Sequence, residues 1–295
     1  MNIVDIIVII QLIVTFPIGI YVFGGKTKVT LSGFKDMCDY YRWHFFILIA
    51  MYLMKTFSFY LEGPMEKYAT DYTQMIYGLE GNTIFWFQHY LQSFPMTLAM
   101  AAVYIGSFLF IMVFTFAFLS YLNMKKAASK VAMLYLVLFF LTLPFYLFMI
   151  VYVPSYPKML YPGAESIITG MEPLMYNFGP NVHEFFVNYD SFNNCFPSMH
   201  IGYPAAILMS LHLNVKGYRI YKWFLFTLLV LIAVAIVYLG IHWFSDIVGG
   251  IFIALIGVII TEKYAHRFWR HIDRFDKLLR KRYKWWDAPF ELIGK

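Results

Sequence analysis

The chain has 295 residues, of which 61% are hydrophobic and only 14% are charged, and its mean hydropathy is +0.63. These values lie outside the range of soluble domains and indicate an integral membrane protein. Its two cysteines, Cys38 and Cys195, are too few for a disulfide scaffold or a cysteine-based zinc site.

Seven apolar stretches are each long enough to cross a bilayer, which takes about twenty residues. The first lacks the basic start and the small-residue cleavage site of a signal peptide, so we expect it to be retained as a span. The predicted fold is therefore all-α, a polytopic membrane helix bundle of about seven transmembrane helices. The stretches lie near residues 2–23, 43–61, 94–122, 131–153, 197–214, 222–241 and 246–262.

Lysine and arginine residues fall mainly in alternate loops, which is the signal that predicts orientation. Of the 23 basic residues, 20 lie in residues 24–42, 123–130 and 215–222 and in the tail after Glu262. These segments are predicted to be cytoplasmic, which places the N-terminus outside or in a lumen and the C-terminus in the cytoplasm. Lys67 and Lys158 fall on the predicted outer side. Lys55 lies inside the second span, as either a functional partner or a snorkelling side chain.

Two long loops are predicted on the outer side. Residues 62–93 are rich in aromatic side chains and are expected to hold an interfacial helix. Residues 154–196 lead into His200 and are expected to form a lid or an acceptor-facing wall. The tail has the pattern of a basic amphipathic helix on an anionic leaflet, with a plain topology anchor as the alternative. The predicted regions are residues 1–42 (extra span and basic loop), 43–262 (six-span catalytic core) and 263–295 (basic tail).

Two histidines stand at predicted outer ends of spans. His200 follows Pro197 and Ser198, which favour a helix start, so we expect it in a first turn, where free N–H groups attract anions. His242 is followed four residues later by Asp246, within reach on one helical face. Such a pair is weak evidence by its spacing alone, but both histidines are predicted at the same membrane face. The pattern indicates a phosphoryl-transfer site. The alternative is that the two histidines have only a structural role and form their hydrogen bonds at the membrane interface.

These residues resemble the signatures of the type-2 phosphatidic acid phosphatase superfamily of membrane lipid phosphatases and phosphotransferases. The second signature, Pro-Ser-Gly-His or a near variant, is matched by Pro197-Ser198-Met199-His200. The third signature, which ends in His-x-x-x-Asp, is matched by His242 and Asp246. The sequence around both is most similar to the branch that contains inositol-phosphorylceramide synthase. The resemblance covers residues 43–262.

The resemblance implies a role for each matched residue. His242 would be the nucleophile that forms a phosphohistidine, Asp246 would orient it, and His200 would act as general acid and then as base. Ser198 and the N–H groups of the helix start would bind phosphate oxygens. No metal or other cofactor is implied. The expected substrate-binding residues are Lys158, Ser198, Tyr203 and Tyr238.

The chain also departs from the family pattern. The first signature, a lysine with Arg-Pro seven residues on, has a spacing match at Lys35 and Arg42, but these lie on the predicted cytoplasmic side. In the outer loop, Lys158 is followed seven residues later by Glu165. Ile236 stands where an arginine is expected before the third signature. Two of three phosphate-binding cations are thus missing, which weakens a phosphomonoesterase interpretation more than a transferase one, because a diester carries less charge at phosphorus.

The expected function is the transfer or hydrolysis of a phosphorylated group on a lipid at the outer or lumenal leaflet. The expected partners are a lipid phosphate or phospholipid substrate, a lipid-alcohol acceptor and the bilayer, with no nucleic acid. A non-catalytic lipid-binding or transport protein is the alternative, favoured by the missing cations and opposed by the intact His200, His242 and Asp246. A metal site at these three residues is a further alternative, disfavoured because the family chemistry needs no metal.

Overall fold

The computed structural model describes residues 3–158, 163–178 and 192–282. Almost all regular structure in these ranges is helical, which confirms the predicted all-α class. The described strands, β1 (Thr70–Asp71) and β2 (Met149–Ile150), form one short parallel pair. The helices are α1 (Ile3–Phe23), α2 (Leu31–Tyr40), α3 (Arg42–Met65), α4 (Thr73–Glu80), α5 (Thr83–Leu91), α6 (Phe94–Leu109), α7 (Thr115–Tyr121), α8 (Lys125–Phe148), α9 (Met199–Asn214), α10 (Arg219–Tyr238) and α11 (Phe244–Arg282).

Each predicted span corresponds to one long helix, or to the rod Phe94–Tyr121 in which a π-helical segment, Phe110–Phe114, joins α6 to α7. Within the described residues, four helices are long and apolar enough to cross a membrane: the α6–α7 rod, α8, α10 and α11. A fifth is counted if α3 and the turn after it form one bent span. The chain is therefore a polytopic membrane helix bundle, and the count of seven spans stays a prediction.

The helix α3 bends where a proline follows. Its axis turns by 43° between the segments Arg42–Ser58 and Tyr60–Tyr68. Pro64 lies inside the helix, lacks an N–H and crowds the carbonyl four residues before it, that of Tyr60. The bend gives α3 a straight inner part, which carries Lys55, and an outer part of different direction.

The helix α9 packs against α8, α10 and α11. At its C-terminal end, Asn214 accepts a hydrogen bond from Lys130 Nζ (2.6 Å) and donates one to Glu262 Oε1 (2.6 Å). Lys130 also contacts Glu262 directly. This polar cluster ties α8, α9 and α11 together at the predicted cytoplasmic face.

The last helix does not break at the predicted boundary between core and tail. It runs from Phe244 to Arg282, because no glycine or proline occurs between residues 258 and 282. Trp269 is buried and stacks on His44 of α3 with 4.0 Å between the ring centroids. Residues 283–295 of the predicted tail lie outside the described residues.

The predicted outer loops are partly described. Residues 62–93 contain two short helices, α4 and α5, where one was expected. In the loop 154–196, residues 159–162 and 179–191 lie outside the described residues. Near the end of that loop, Cys195 is only 2% exposed, and neither it nor Cys38 forms a disulfide.

Candidate active site

The start of α9 places His200 in the first helical turn, as predicted. The helix begins at Met199 with Ser198 as its N-cap, so Pro197 precedes the helix instead of opening it. The Ser198 side chain is buried and its hydroxyl has no hydrogen-bond partner in the described part of the chain, so the predicted side-chain cap is not formed. Its backbone N–H donates to the carbonyl oxygen of Asp246 (3.0 Å). The two signature segments are thus joined directly.

The end of α10 delivers His242 to the site. Gly240 has a φ of 74°, and its N–H donates to Val237 O while the N–H of Ile241 donates to Ile236 O, both at 3.0 Å. This pair of hydrogen bonds, known as the Schellman motif, ends many helices and favours glycine at the residue with left-handed backbone conformation. It stops α10 and turns the chain, so that His242 lies two residues before α11.

Two carboxylates accept hydrogen bonds from the backbone N–H groups at the start of α11. Oδ2 of Asp246 accepts the N–H of Trp243 (2.8 Å), which is one half of a capping box. Glu80, at the end of α4, accepts the N–H groups of Phe244 (2.9 Å) and Ser245 (2.6 Å). The positive end of the helix dipole favours both carboxylates. The helix start is therefore fixed by a residue far away in sequence.

The structure brings the three predicted catalytic residues into one row. Asp246 has no exposed surface, and its Oδ2 lies 3.0 Å from Nδ1 of His242. Nε2 of His242 lies 3.3 Å from Nδ1 of His200. The His200 ring packs against Tyr104 and Phe108, each with 4.8 Å between ring centroids. One nitrogen of His242 is thus held by a carboxylate, and the other faces the second histidine.

A cavity of about 420 Å³ opens beside the two histidines. This volume lies within the range of about 300–1,000 Å³ that is common for small-molecule sites. Most of its wall is apolar and comes from α3, the α6–α7 rod and α8. Its polar lining includes Lys55, Asn194, Cys195, His200, Tyr203 and His242. A mainly apolar cavity that also contains polar side chains suits an amphiphilic ligand.

The predicted substrate-binding residues lie in different places. Tyr203 lines the cavity. Tyr238 is fully buried and is not among the lining residues, and its hydroxyl is hydrogen-bonded to Thr97 Oγ1 (2.7 Å). Lys158 also does not line the cavity; its Nζ lies 2.6 Å from Oε1 of Glu172. The expected phosphate-binding role of Lys158 gains no support from this position, because its charge is already paired.

Several residues that shape the site carry no signal in the sequence. Glu80 is one, and Gln88 of α5 is another. The Gln88 side-chain amide donates to the carbonyl oxygens of Tyr238 and Glu172, both at 2.9 Å, and so links α5, the end of α10 and the outer loop. Neither belongs to a recognisable motif, because each acts through contacts that only the folded chain creates.

A second combination of side chains includes a cysteine. The ligand atoms of Cys195, His242 and Asp246 lie within 4.8 Å of one another, a set that could hold a metal ion. It differs from the metal alternative raised by the sequence, which included His200 instead of the cysteine. Each group also has a protein partner, since the thiol of Cys195 donates to Ile241 O (3.2 Å) and the other two bond each other.

The fold and the site define a membrane-embedded helical protein with a carboxylate-supported pair of histidines beside an apolar cavity. The PAP2 superfamily model matches residues 77–260, which is more than half of the chain, and the chain belongs to this superfamily. Membership supports a lipid enzyme of the phosphatase or phosphotransferase class. The match begins at residue 77 and not at residue 43, so α3 lies outside it. No curated protein and no solved structure matches the chain.

The contact between α9 and α11 depends on glycine. A Cβ atom added to Gly250 would lie 2.3 Å from the carbonyl oxygen of Ser198. We therefore expect Gly250→Ala to separate the two helix starts and to lower the free energy of unfolding by about 1–3 kcal/mol, as overpacking does. Thermal unfolding of the purified protein in detergent measures this effect.

The matched control is Gly78→Ala in α4, where an added Cβ would meet no atom within 4 Å. This variant should unfold at or slightly above the wild-type temperature. Equal unfolding temperatures for Gly250→Ala and Gly78→Ala would contradict the close approach of α9 and α11.

Proposed function

We propose that the protein is a lipid phosphatase or phosphotransferase that works through a phosphohistidine at His242. The observation that carries this proposal is the row Asp246, His242 and His200 beside the apolar cavity. Because Asp246 bonds Nδ1 of His242, the lone pair of Nε2 is directed away from the carboxylate. An oriented nucleophile with a second proton-transferring group is what a two-step displacement requires.

The two steps balance with these residues alone. Nε2 of His242 attacks phosphorus, the bond from phosphorus to the lipid oxygen breaks, and that oxygen takes a proton from His200. Water or a lipid hydroxyl then attacks the phosphorus, its proton passes to His200, and the nitrogen–phosphorus bond breaks. Asp246 stabilises the imidazolium form of His242 in both steps. The N–H groups of the first α9 turn are suited to bind phosphate oxygens. The Ser198 hydroxyl, which the sequence also predicts to bind phosphate, is fully buried and is not among the residues that line the cavity.

Transfer and hydrolysis use the same residues and differ in the acceptor. The similarity to the inositol-phosphorylceramide-synthase branch, together with the apolar cavity, favours transfer of a phosphorylated headgroup to a lipid hydroxyl. Thin-layer analysis with a labelled phospholipid and a lipid alcohol separates the outcomes. A new labelled lipid indicates transfer. A labelled water-soluble product alone, which is inorganic phosphate from a lipid monophosphate or the phosphorylated headgroup from a diester, indicates hydrolysis. Neither product would favour a non-catalytic lipid-binding protein.

The proposed roles predict different responses to leaving-group quality. His242→Ala should abolish turnover of every ester. His200→Ala should lose about 10²–10⁴-fold with an alkyl alcohol as leaving group, and much less with p-nitrophenol, which needs little protonation to leave. Asp246→Asn should keep the fold and lose about 10⁴-fold, by the precedent of the serine-protease carboxylate. Steady-state kinetics with the two ester types measures all three variants.

The control is His266→Ala, which alters an exposed histidine near the middle of α11 and should leave turnover unchanged. If p-nitrophenyl esters restored turnover in His242→Ala but not in His200→Ala, the roles would be exchanged: His200 would be the nucleophile and His242 the general acid. Loss of wild-type activity on chelation, restored by zinc, would instead favour a metal held by Cys195, His242 and Asp246.

We also propose that the site faces the outer or lumenal leaflet, as the distribution of basic residues indicates. Native Cys195 is unsuitable for a labelling test because it is buried. In a Cys38→Ser background, Gly163→Cys should react with a membrane-impermeant maleimide on intact cells, because Gly163 is exposed and has no neighbour within 4 Å. The exposed Lys216→Cys should react only after permeabilisation. Labelling of Lys216→Cys but not of Gly163→Cys on intact cells would show that the topology is the reverse of the proposed one.

A further inference from the structure

Lys55 lies near the middle of α3, ten residues before its end at Met65. At 1.5 Å per residue this is about 15 Å along the helix. Within the predicted span 43–61, Lys55 lies six residues, or about 9 Å, from the nearer end. A lysine at the very centre of a span costs about 2.5–3.5 kcal/mol, which is the upper limit for this position. In the described part of the chain, no carboxylate lies within ion-pair distance of Lys55, so this cost is not offset by a salt bridge there.

The ammonium group of Lys55 is associated with the start of α9 through one tyrosine. Its Nζ lies 5.7 Å from the centroid of the Tyr146 ring, a distance that fits a cation–π contact. The hydroxyl of Tyr146 donates to the carbonyl oxygen of Pro197 (2.9 Å). Lys55 and His200 line the same cavity. Lys55 is exposed in the structure, and it also lines the cavity that contains His200.

A second polar group in the cavity has no partner. Asn194 lines it, and the side-chain nitrogen Nδ2 is buried without a hydrogen bond to any described residue. A buried donor left unpaired costs about 1–3 kcal/mol. The backbone of Asn194 is fixed by its bridge to Val151. The amide is thus a donor held in place for an acceptor that the described residues do not provide.

We propose that Lys55 and Asn194 bind the phosphoryl oxygens of the substrate in place of the family cations that this chain lacks. The inference rests on the proposed function, and it assigns part of the site to α3, outside the matched family region.

The charge of the cavity also indicates a substrate class. Among the lining residues in the described part of the chain, Lys55 is the only lysine or arginine and none is an aspartate or glutamate. In the proposed mechanism His200 is also protonated when the substrate binds, and the Asp246 carboxylate is bonded to His242, so these groups and Lys55 together leave about one net positive charge. That charge balances a phosphodiester, which carries one negative charge, better than a phosphomonoester, which carries nearly two. The site therefore binds a phosphodiester lipid in preference to a lipid monophosphate.

Binding of orthovanadate, an inorganic phosphate mimic, tests the anion site without requiring turnover. We expect Lys55→Met to weaken vanadate binding, measured by calorimetry, by about 10-fold to 100-fold, as loss of a hydrogen bond to a charged group does. Lys55→Arg should restore most of the affinity. Asn194→Asp, which replaces a donor by a carboxylate of the same shape, should also weaken binding. Lys67→Met removes an exposed cation outside the cavity and should bind like the wild type.

Kinetics with two esters tests the substrate class. Bis(p-nitrophenyl) phosphate is a diester monoanion and p-nitrophenyl phosphate is a monoester. We expect the wild type to have the higher kcat/KM for the diester, and Lys55→Met to raise KM for it more than it lowers kcat. The unfolding temperature of Lys55→Met should equal or exceed that of the wild type, because the variant removes an unpaired charge from the span. A lower unfolding temperature would indicate that Lys55 has a structural role.

The outcomes separate this inference from the proposed function. Wild-type affinity for vanadate in Lys55→Met, or weakening only in Lys158→Gln, would overturn the role of Lys55 while the enzyme stands. No vanadate binding by the wild type would overturn the anion site. Vanadate binding that depends on Lys55, with no turnover of any ester, would support the site and contradict the enzyme. A preference for the monoester would overturn the substrate class.

Discussion

Asp246 makes three contacts that the site depends on. Its buried carboxylate accepts from the backbone of Trp243 and bonds Nδ1 of His242, while its carbonyl oxygen accepts from Ser198. One residue therefore starts α11, orients the imidazole and joins the beginning of α9 to the same point. A carboxylate with no exposed surface is costly unless hydrogen-bond partners compensate it. Oδ2 of Asp246 has two such partners, whereas Oδ1 has none among the described residues. The contacts of Asp246 that stabilise the fold are thus the same contacts that orient His242 for the proposed chemistry.

The Asp246 contacts lie between closely packed helix starts on one side and apolar cavity walls on the other. The helix starts of α9 and α11 approach closely because Gly250 has no side chain, and Glu80 neutralises the positive end of α11 from another helix. On the other side, α3, the α6–α7 rod and α8 supply apolar walls. In the proposed function, the lipid tails would occupy this chamber and the headgroup would contact His200 and His242, which line it.

The sequence predicted the helices and the proximity of His200, His242 and Asp246, and both follow from local patterns. Long apolar stretches identify spans, and the two short signatures place His200 and His242 at helix starts. Glu80 and Lys55 could not be assigned in this way, because their partners come from segments far away in the chain. Lys158 was predicted from its position in the outer loop; its ammonium group is paired with Glu172 and it is not among the cavity-lining residues, so its phosphate-binding role stays a prediction. The conformation of a loop that depends on such ion pairs cannot be predicted from the spacing of residues in the sequence.

The central claim is that a covalent bond forms between phosphorus and His242, and trapping the phosphoenzyme tests it directly. The purified protein is mixed with a lipid substrate labelled with ³²P at phosphorus, quenched within milliseconds and digested. The account predicts an acid-labile, alkali-stable label on the peptide that contains His242, absent from His242→Ala. Turnover without a labelled peptide, or a label on another residue such as Ser198, would contradict the account.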